Sequence, residues 1–473
     1  VAERRTGPDH KTAARNWPAI GLIAGVIVAA VIGGIFYFSS RSGEQPRSAQ
    51  RPNILIIVTD DQRGGLGVMP KTRHIFGRGG TDFSNAFVSD PLCCPSRASI
   101  FTGRYPHNHH VETEEQANNL VQASTLQRYL HDDGYETGIF GKYLNSWDIQ
   151  KRPPYFDRSS IFTLSQFGYR NTQWNVNGKV TSIPTYSTSY ISQQARAFLK
   201  SASGPGDRKP WFLYLAPAAP HFPYTPAKKY AQAPVSKWPG DPATSEQDRS
   251  DKPPFVVAKR NVTLQMGNGI RRRQFRTLMS VDDMVGKVFG QLERLHEAGN
   301  TLAFFTSDNG YLWGEHGVAG KDFPYTQSIK VPLLERWPGH VAAATHNPNL
   351  VSNVDIAPTV LDAAGLRPSP SYPMDGRSLL DQTAPRQHVY AEYFNDPKFP
   401  KVLSWASLRT RTYQYIEYFQ GTNVVFREYY DLRSDPWELN NVLADNDPTN
   451  NGQARQAAVL LRRARACKGT SCP

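Results

Sequence analysis

Two short pairs, Asp60-Asp61 and Asp308-Asn309, each close an apolar run, and all four side chains offer oxygen donors. Oxygen sets without thiolate or imidazole suit hard cations such as Ca²⁺ or Mg²⁺. Single pairs of this kind commonly serve as loop or cap residues. It is their recurrence after two strand-like runs that points to a metal. Arg97, Lys142, His221 and Lys321 add positive charge and donors. A divalent cation flanked by such groups suits a tetrahedral oxyanion, sulfate or phosphate. Between them lies "PLCCPSR", with Cys93 and Cys94 adjacent and Pro95-Ser96 opening a helical stretch that holds Arg97. Adjacent cysteines rarely pair, because a disulfide needs its Cα atoms further apart than one peptide step allows. The free N–H groups at a helix start could face an anion. For the nucleophile the residues leave Cys93, Cys94 and Ser96 open.

The elements that must position these groups follow from periodicity. Residues Asn53 to Thr59 form a continuous apolar run of strand length, ending at Asp60. Tyr135 to Phe140 leads to Lys142, Trp211 to Leu215 to His221, and Thr301 to Thr306 to Asp308. Unbroken apolarity suits central parallel strands covered on both faces. The segment Phe275 to Leu295 has helical periodicity, with Leu278, Val281, Val285, Val288 and Leu292 on one face. Strands alternating with helices predict an α/β domain with a mostly parallel central sheet flanked by helices. Ligands of such sheets bind beyond the carboxyl ends of the strands, which gathers the polar residues on one rim. Residues 236–254 read as a surface loop. Beyond Gly365 four strand-like runs (389–394, 402–408, 413–419 and 424–430) without intervening helices predict a smaller antiparallel sheet. A helix over about 453–466 is expected to pack on it.

The chain has 473 residues, 39% hydrophobic, enough for one large core and a smaller domain. Its net charge of +13 fits attraction to a polyanion. The absence of nucleic-acid motifs argues against DNA or RNA, leaving sulfated glycans as a candidate. Residues 18–38 form an uncharged apolar run long enough to span a bilayer. No small-residue cleavage site follows it, so an uncleaved membrane anchor is expected, with a secreted protein the alternative if the segment is removed. Cys467 and Cys472 lack the second pair that a zinc site needs, so a disulfide in an oxidising, extracytoplasmic compartment is expected. The organisation reads as a polar segment (1–16), an anchor (17–39), a linker (40–51), a catalytic domain (52–380) and a C-terminal subdomain (381–473).

The run "CCPSR" followed by "TGR" (Thr102 to Arg104) resembles the signature of the type I, formylglycine-dependent sulfatases. "NILIIVTDDQ", "GKYLN", "APHFPY", "SDNG", "IKVPLL", "DIAPTVLDAAG" and "YDLRSDPWELNN" recur in the family's order across nearly all of the chain after the apolar run. With "YPHNHHV", the motifs are most similar to N-acetylglucosamine-6-sulfatases and arylsulfatase-like enzymes. The resemblance implies an alkaline-phosphatase-like fold and hydrolysis of sulfate esters of carbohydrates or aryl alcohols. Phosphonate or phosphate monoester hydrolysis is the alternative within the superfamily. It further implies that Cys93 is oxidised to formylglycine (3-oxoalanine) by a formylglycine-generating enzyme, its hydrate being the nucleophile. Asp60, Asp61, Asp308 and Asn309, with the side chain at 93, would bind Ca²⁺ (or Mg²⁺). Arg97 would support the nucleophile, Lys142 and Lys321 would hold the sulfate, and His221 or Lys321 would assist the leaving group. Many arylsulfatases have a histidine where this chain has Leu144, a role that could pass to Asn145. His107, His109 and His110 could line a substrate subsite or form a polar turn.

Overall fold

In a computed structural model, which describes residues 51–473 apart from 164–168, 204–208, 260, 382, 446 and 450, the strand Asn53–Thr59 is buried along its whole length. It pairs in parallel with Trp211–Ala216 on one side and Thr301–Ser307 on the other, with Ile54 opposite both Phe212 and Leu302. Its residues alternate between two cores. Ile54, Ile56 and Val58 join Ala98, Phe101 and Val360, while Leu55 and Ile57 join Leu278, Val281 and Val285. That double coverage is why the run is continuously apolar.

The large sheet has ten strands, and its centre is parallel. The flanks make it mixed. Leu333–Arg336 runs antiparallel to both Thr301–Ser307 and Thr81–Phe87, and Thr172–Val176 runs antiparallel to its two neighbours. The flanking strands are shorter or more polar, as in Thr81–Phe87 (TDFSNAF), and carry no long apolar run. The helix expected over 275–295 begins eleven residues earlier, spanning Leu264–Arg294, with the Thr263 side chain accepting from the Met266 N–H at 3.3 Å. Gly267 and Gly269 obscure its first turns in the sequence. Gly267 is required there, because a Cβ would lie 1.6 Å from the Trp313 carbonyl oxygen.

A separate four-stranded antiparallel sheet comprises Val389–Tyr393, Ser404–Arg409, Tyr413–Gln420 and Asn423–Asp431 in sequential order. The helix Gly452–Ala464 buries Ala457, Leu461 and Ala464 among Leu408, Tyr415 and Tyr429 of this sheet, and Tyr105 and Val354 join the same core. His107 donates its backbone N–H to Glu392 at 3.1 Å, tying the helix Pro106–His109 to the small sheet. Among the described residues no helix is long and apolar enough to cross a membrane; the run 18–38 lies outside them.

Cys467 and Cys472 form a disulfide. The ring it closes is already anchored, since the Cys467 carbonyl accepts from Asn108 Nδ2 (2.9 Å) and the Gly469 N–H donates to Asp375 Oδ1 (2.7 Å). Because only a short loop is closed, the double replacement by serine is expected to cost about 2 kcal/mol. Urea unfolding would measure it, and a loss beyond about 4 kcal/mol would contradict this account.

Candidate active site

Most of the expected site residues leave a strand end or a helix start on one rim of the large sheet, while Lys321 follows the short strand Ala319–Gly320 of a separate two-stranded sheet. Asp60 and Asp61 follow the central strand, and Asp308 and Asn309 follow its neighbour Thr301–Ser307. Lys142 is the last residue of the strand Glu136–Lys142, and His221 follows Trp211–Ala216 by a short turn. The helix Cys93–Thr102 begins at Cys93 and is buried throughout, ending at Gly103 in the left-handed region (φ 65°).

The contacts are dense. Cys93 Sγ lies 3.3 Å from Asp60 Oδ1, 3.6 Å from Asn309 Oδ1 and 2.6 Å from Lys321 Nζ. Lys321 also donates to Asp61 Oδ1 at 2.7 Å, and Lys142 Nζ donates to Asp60 Oδ2 at 2.5 Å. Arg97 donates through Nε to Asp308 Oδ2 (2.8 Å) and through Nη1 to the Lys142 carbonyl (3.1 Å). His221 stands further out, with Nε2 3.9 Å from Asp61 Oδ2 and Nδ1 2.7 Å from the Phe222 carbonyl oxygen. Three carboxylates and three permanent cations therefore share a buried volume. Burial pushes Asp60 up, but Lys142, His221, Arg97 and Lys321 together hold it well below the usual carboxylate range. Burial, with Asp308 and Asp60 nearby, pushes the Cys93 thiol well up. Lys142 and Lys321 are raised despite their burial, by Asp60 and Asp61 respectively with Cys93.

The oxygen donors of Asp60, Asp61 and Asn309 are of the kind a hard cation takes. Asp60, Asp61, Cys93 and His221 each place one ligand atom within 4.8 Å of the others. Asn309 turns Oδ1 toward Cys93 while its Nδ2 donates to Asp61 Oδ1 at 2.8 Å. Asp308 is committed differently: Oδ2 to Arg97, and Oδ1 accepting the Asp61 N–H at 3.2 Å.

Cys94 packs in the hydrophobic core, and burial pushes its thiol up to about 12. Leu144 lies in that same core, so its side chain takes no polar part. Asn145 lines the cavity beside His221 and Lys321. His109 is buried with Nε2 3.0 Å from Ser99 Oγ, and His107 Nδ1 is 2.7 Å from Glu392 Oε1; neither lines that cavity, and nor does His110. One residue had no signal in the sequence. Glu114 Oε1 accepts the Cys93 backbone N–H at 3.0 Å, capping the helix start from 21 residues away. Nothing in "VETEEQ" separates Glu114 from its acidic neighbours.

Gly141 sets the direction of Lys142. Its φ is +121°, and a Cβ there would lie 2.1 Å from the Ala216 carbonyl oxygen. Gly141→Ala is expected to cost about 3 kcal/mol and to lower activity with it, because the strand end must shift. Thermal unfolding and sulfate release together would check this; wild-type values in both would contradict it.

The sulfatase family profile matches residues 52–366, and the profile for the N-sulphoglucosamine sulphohydrolase C-terminal region matches 314–462. The human N-acetylglucosamine-6-sulfatase is 32% identical over 89% of this chain and 86% of its own length. The extracellular sulfatase SULF-1 homolog of Drosophila melanogaster is 35% identical over 76% of this chain, which spans only 33% of that longer protein. Among solved structures, one in complex with its substrate D-glucosamine-2-N,6-O-disulfate aligns with a TM-score of 0.78 at 22% identity, covering 88% of this chain and 98% of that one. The phosphonate monoester hydrolase of Agrobacterium radiobacter aligns at 0.69 and 20% identity, over 88% and 96%. With two thirds of its length matched and the motif residues gathered at one rim, the chain belongs to the sulfatase family of sulfuric ester hydrolases.

Proposed function

We propose that this protein hydrolyses sulfate monoesters of a carbohydrate such as N-acetylglucosamine 6-sulfate, with position 93 as the nucleophile after conversion to formylglycine. The observation that carries the reading is the placement of the buried Cys93 Sγ against Asp60, Asn309 and Lys321, with Lys321 and His221 lining a cavity. Hydrated formylglycine bears two hydroxyls on one carbon, so one attacks sulfur and the other later expels sulfate and restores the aldehyde. Ca²⁺, held by Asp60, Asp61, Asp308, Asn309 and the side chain at 93, would supply charge that favours the ionised nucleophile.

The chain's own groups do the rest. Lys142 and Lys321 hold sulfate oxygens as charge builds on them. Arg97, with its side chain wholly buried, fixes Asp308 and the Lys142 carbonyl. His221 keeps Nδ1 on the Phe222 carbonyl, so its protonated form can give the Nε2 proton to the leaving oxygen. The covalent route replaces one difficult displacement by two easier steps. Relatives named as extracellular sulfatases, the disulfide and the run 18–38 support an extracytoplasmic enzyme anchored at its N-terminus. Maturation would require a formylglycine-generating enzyme.

The shared fold of a phosphonate monoester hydrolase supports a second reading, in which phosphonate or phosphate monoesters are the substrates. Comparing turnover of an aryl sulfate and an aryl phosphonate decides between them. Mass analysis of the peptide ending at Arg97 tests the nucleophile. An active protein with an unmodified thiol at 93 would remove the central claim.

A further inference from the structure

The long helix Leu264–Arg294 carries a basic run, Arg271-Arg272-Arg273, that the chemistry at position 93 does not use. Beside it lies a cavity of about 600 Å³, lined by Lys237, Gln265, Asn268, Arg271 and Arg272 among others and by no acidic residue. Its walls are fixed. The Trp238 N–H donates to Asn268 Oδ1 (3.0 Å), and Asn268 Nδ2 donates back to the Trp238 carbonyl (2.9 Å). Arg271 Nη1 donates to the Ser236 carbonyl at 2.8 Å, with its guanidinium 4.3 Å from the centre of the Phe275 ring.

Positive charge here is not balanced. Among the described residues Lys237, Arg271, Arg272 and Arg273 enter no ion pair. By contrast, Lys71 and Lys229 meet Asp283 further along the same helix, and Arg63 meets Asp241 and Glu315. Burial and then Arg63 lower Arg271, as expected where cations crowd without a carboxylate. The basic ledge reaches the site through aromatic rings. Arg273 places its guanidinium carbon 5.6 Å from the centre of the Tyr224 ring, and Tyr224 and Tyr311 share a hydroxyl hydrogen bond of 2.9 Å. Tyr224 follows His221 closely in the chain, as Tyr311 follows Asn309. Phe222, the residue after His221, is 65% exposed and meets Tyr224 edge-on at 5.6 Å.

We propose that this ledge binds a sulfated polysaccharide chain and presents one of its esters to position 93, so that the substrate is a polymer rather than a free monosaccharide. The inference rests on the sulfatase reading and extends it. Planar guanidinium groups match the paired oxygens of tetrahedral oxyanions. The exposed Phe222 ring offers apolar surface to a sugar face. A concave basic wall joined to the His221 loop suits a chain better than it suits a flat anionic membrane.

The test uses the full matured chain, dextran sulfate, unsulfated dextran, phosphatidylserine vesicles and an aryl sulfate. Dextran sulfate is expected to bind, more weakly as salt is added, and to raise the KM for the aryl sulfate; dextran should do neither. Lys237→Gln/Arg272→Gln is expected to weaken both effects about tenfold, with kcat and KM for the aryl sulfate alone unchanged. Arg73→Gln/Arg78→Gln removes the same charge from the helix Pro70–Gly79, at the opposite rim. That helix leads into Thr81–Phe87, which runs the same way as Thr301–Ser307 because both oppose Leu333–Arg336. This control should change either effect by less than about twofold. Equal weakening by the two variants would reduce the ledge to net charge and overturn the proposal. So would vesicle binding that needs Lys237 and Arg272 while dextran sulfate binding does not. Turnover of the aryl sulfate without dextran sulfate binding strikes the ledge alone. Turnover of an aryl phosphonate with none of the aryl sulfate strikes the sulfatase reading and this inference with it.

Discussion

Cys93→Ala is expected to reduce sulfate-ester hydrolysis by on the order of 10⁴-fold or more, the scale seen when a covalent nucleophile is removed. The substitution should leave the fold intact. Alanine keeps the backbone N–H that Glu114 caps, and the buried thiol gives way to a smaller apolar group. Lys321 loses one contact but retains Asp61. Cys93→Ser sharpens the test. Its hydroxyl would sit near Asp60 and Lys321 and could attack sulfur, but with a single oxygen on that carbon it cannot expel sulfate by forming an aldehyde. One equivalent of alcohol should be released, with the protein gaining the mass of one SO₃ group. Repeated turnover by either variant, followed by sulfate release under excess substrate, would refute position 93 as the nucleophile.

Arg97→Leu is expected to carry the largest combined loss. The guanidinium is fully buried, 2.8 Å from Asp308 Oδ2 and 3.5 Å from Asp60 Oδ2, and it also ties down the Lys142 carbonyl. Removing it leaves two buried carboxylates short of positive charge, at a cost of about 3–5 kcal/mol. Activity should fall at least about 10³-fold, because Lys142 and Asp308 lose their common support. Arg97→Lys separates charge from geometry. An ammonium preserves the sign but not the forked contacts to Asp308 and the Lys142 carbonyl, so stability should recover further than kcat. Urea unfolding and initial rates would check both variants. Equal recovery of stability and rate would show that charge alone matters at this position.

The polar rim was legible because its strands are covered on both faces. Residues such as Ile54 and Leu55 feed opposite cores, so Asn53–Thr59 had to be continuously apolar, and its polar end had to mark a rim. The same holds for Trp211–Ala216 and Thr301–Ser307. Flanking strands such as Thr81–Phe87 left weaker traces, since their burial is interrupted and polar residues break the apolar run. The small sheet was readable from its recurring strand-like runs, with ends displaced by one or two residues. The N-terminal third of Leu264–Arg294 was not, because Gly267 serves close packing against Trp313 rather than helix propensity.

Residue types and spacing alone predicted an oxygen-rich, cation-flanked rim, while the choice of Cys93 over Cys94 came from the resemblance to the family motif. Tertiary structure decided the division of labour around it. Asp308 faces Arg97, Leu144 and Cys94 fill the core, His107 and His109 are held in hydrogen bonds with Glu392 and Ser99, and Glu114 arrives from a distant loop to cap Cys93. The reason is physical: local sequence records which groups a strand end must carry, whereas the partner of a buried polar atom is chosen by whatever segment the fold brings within hydrogen-bonding distance.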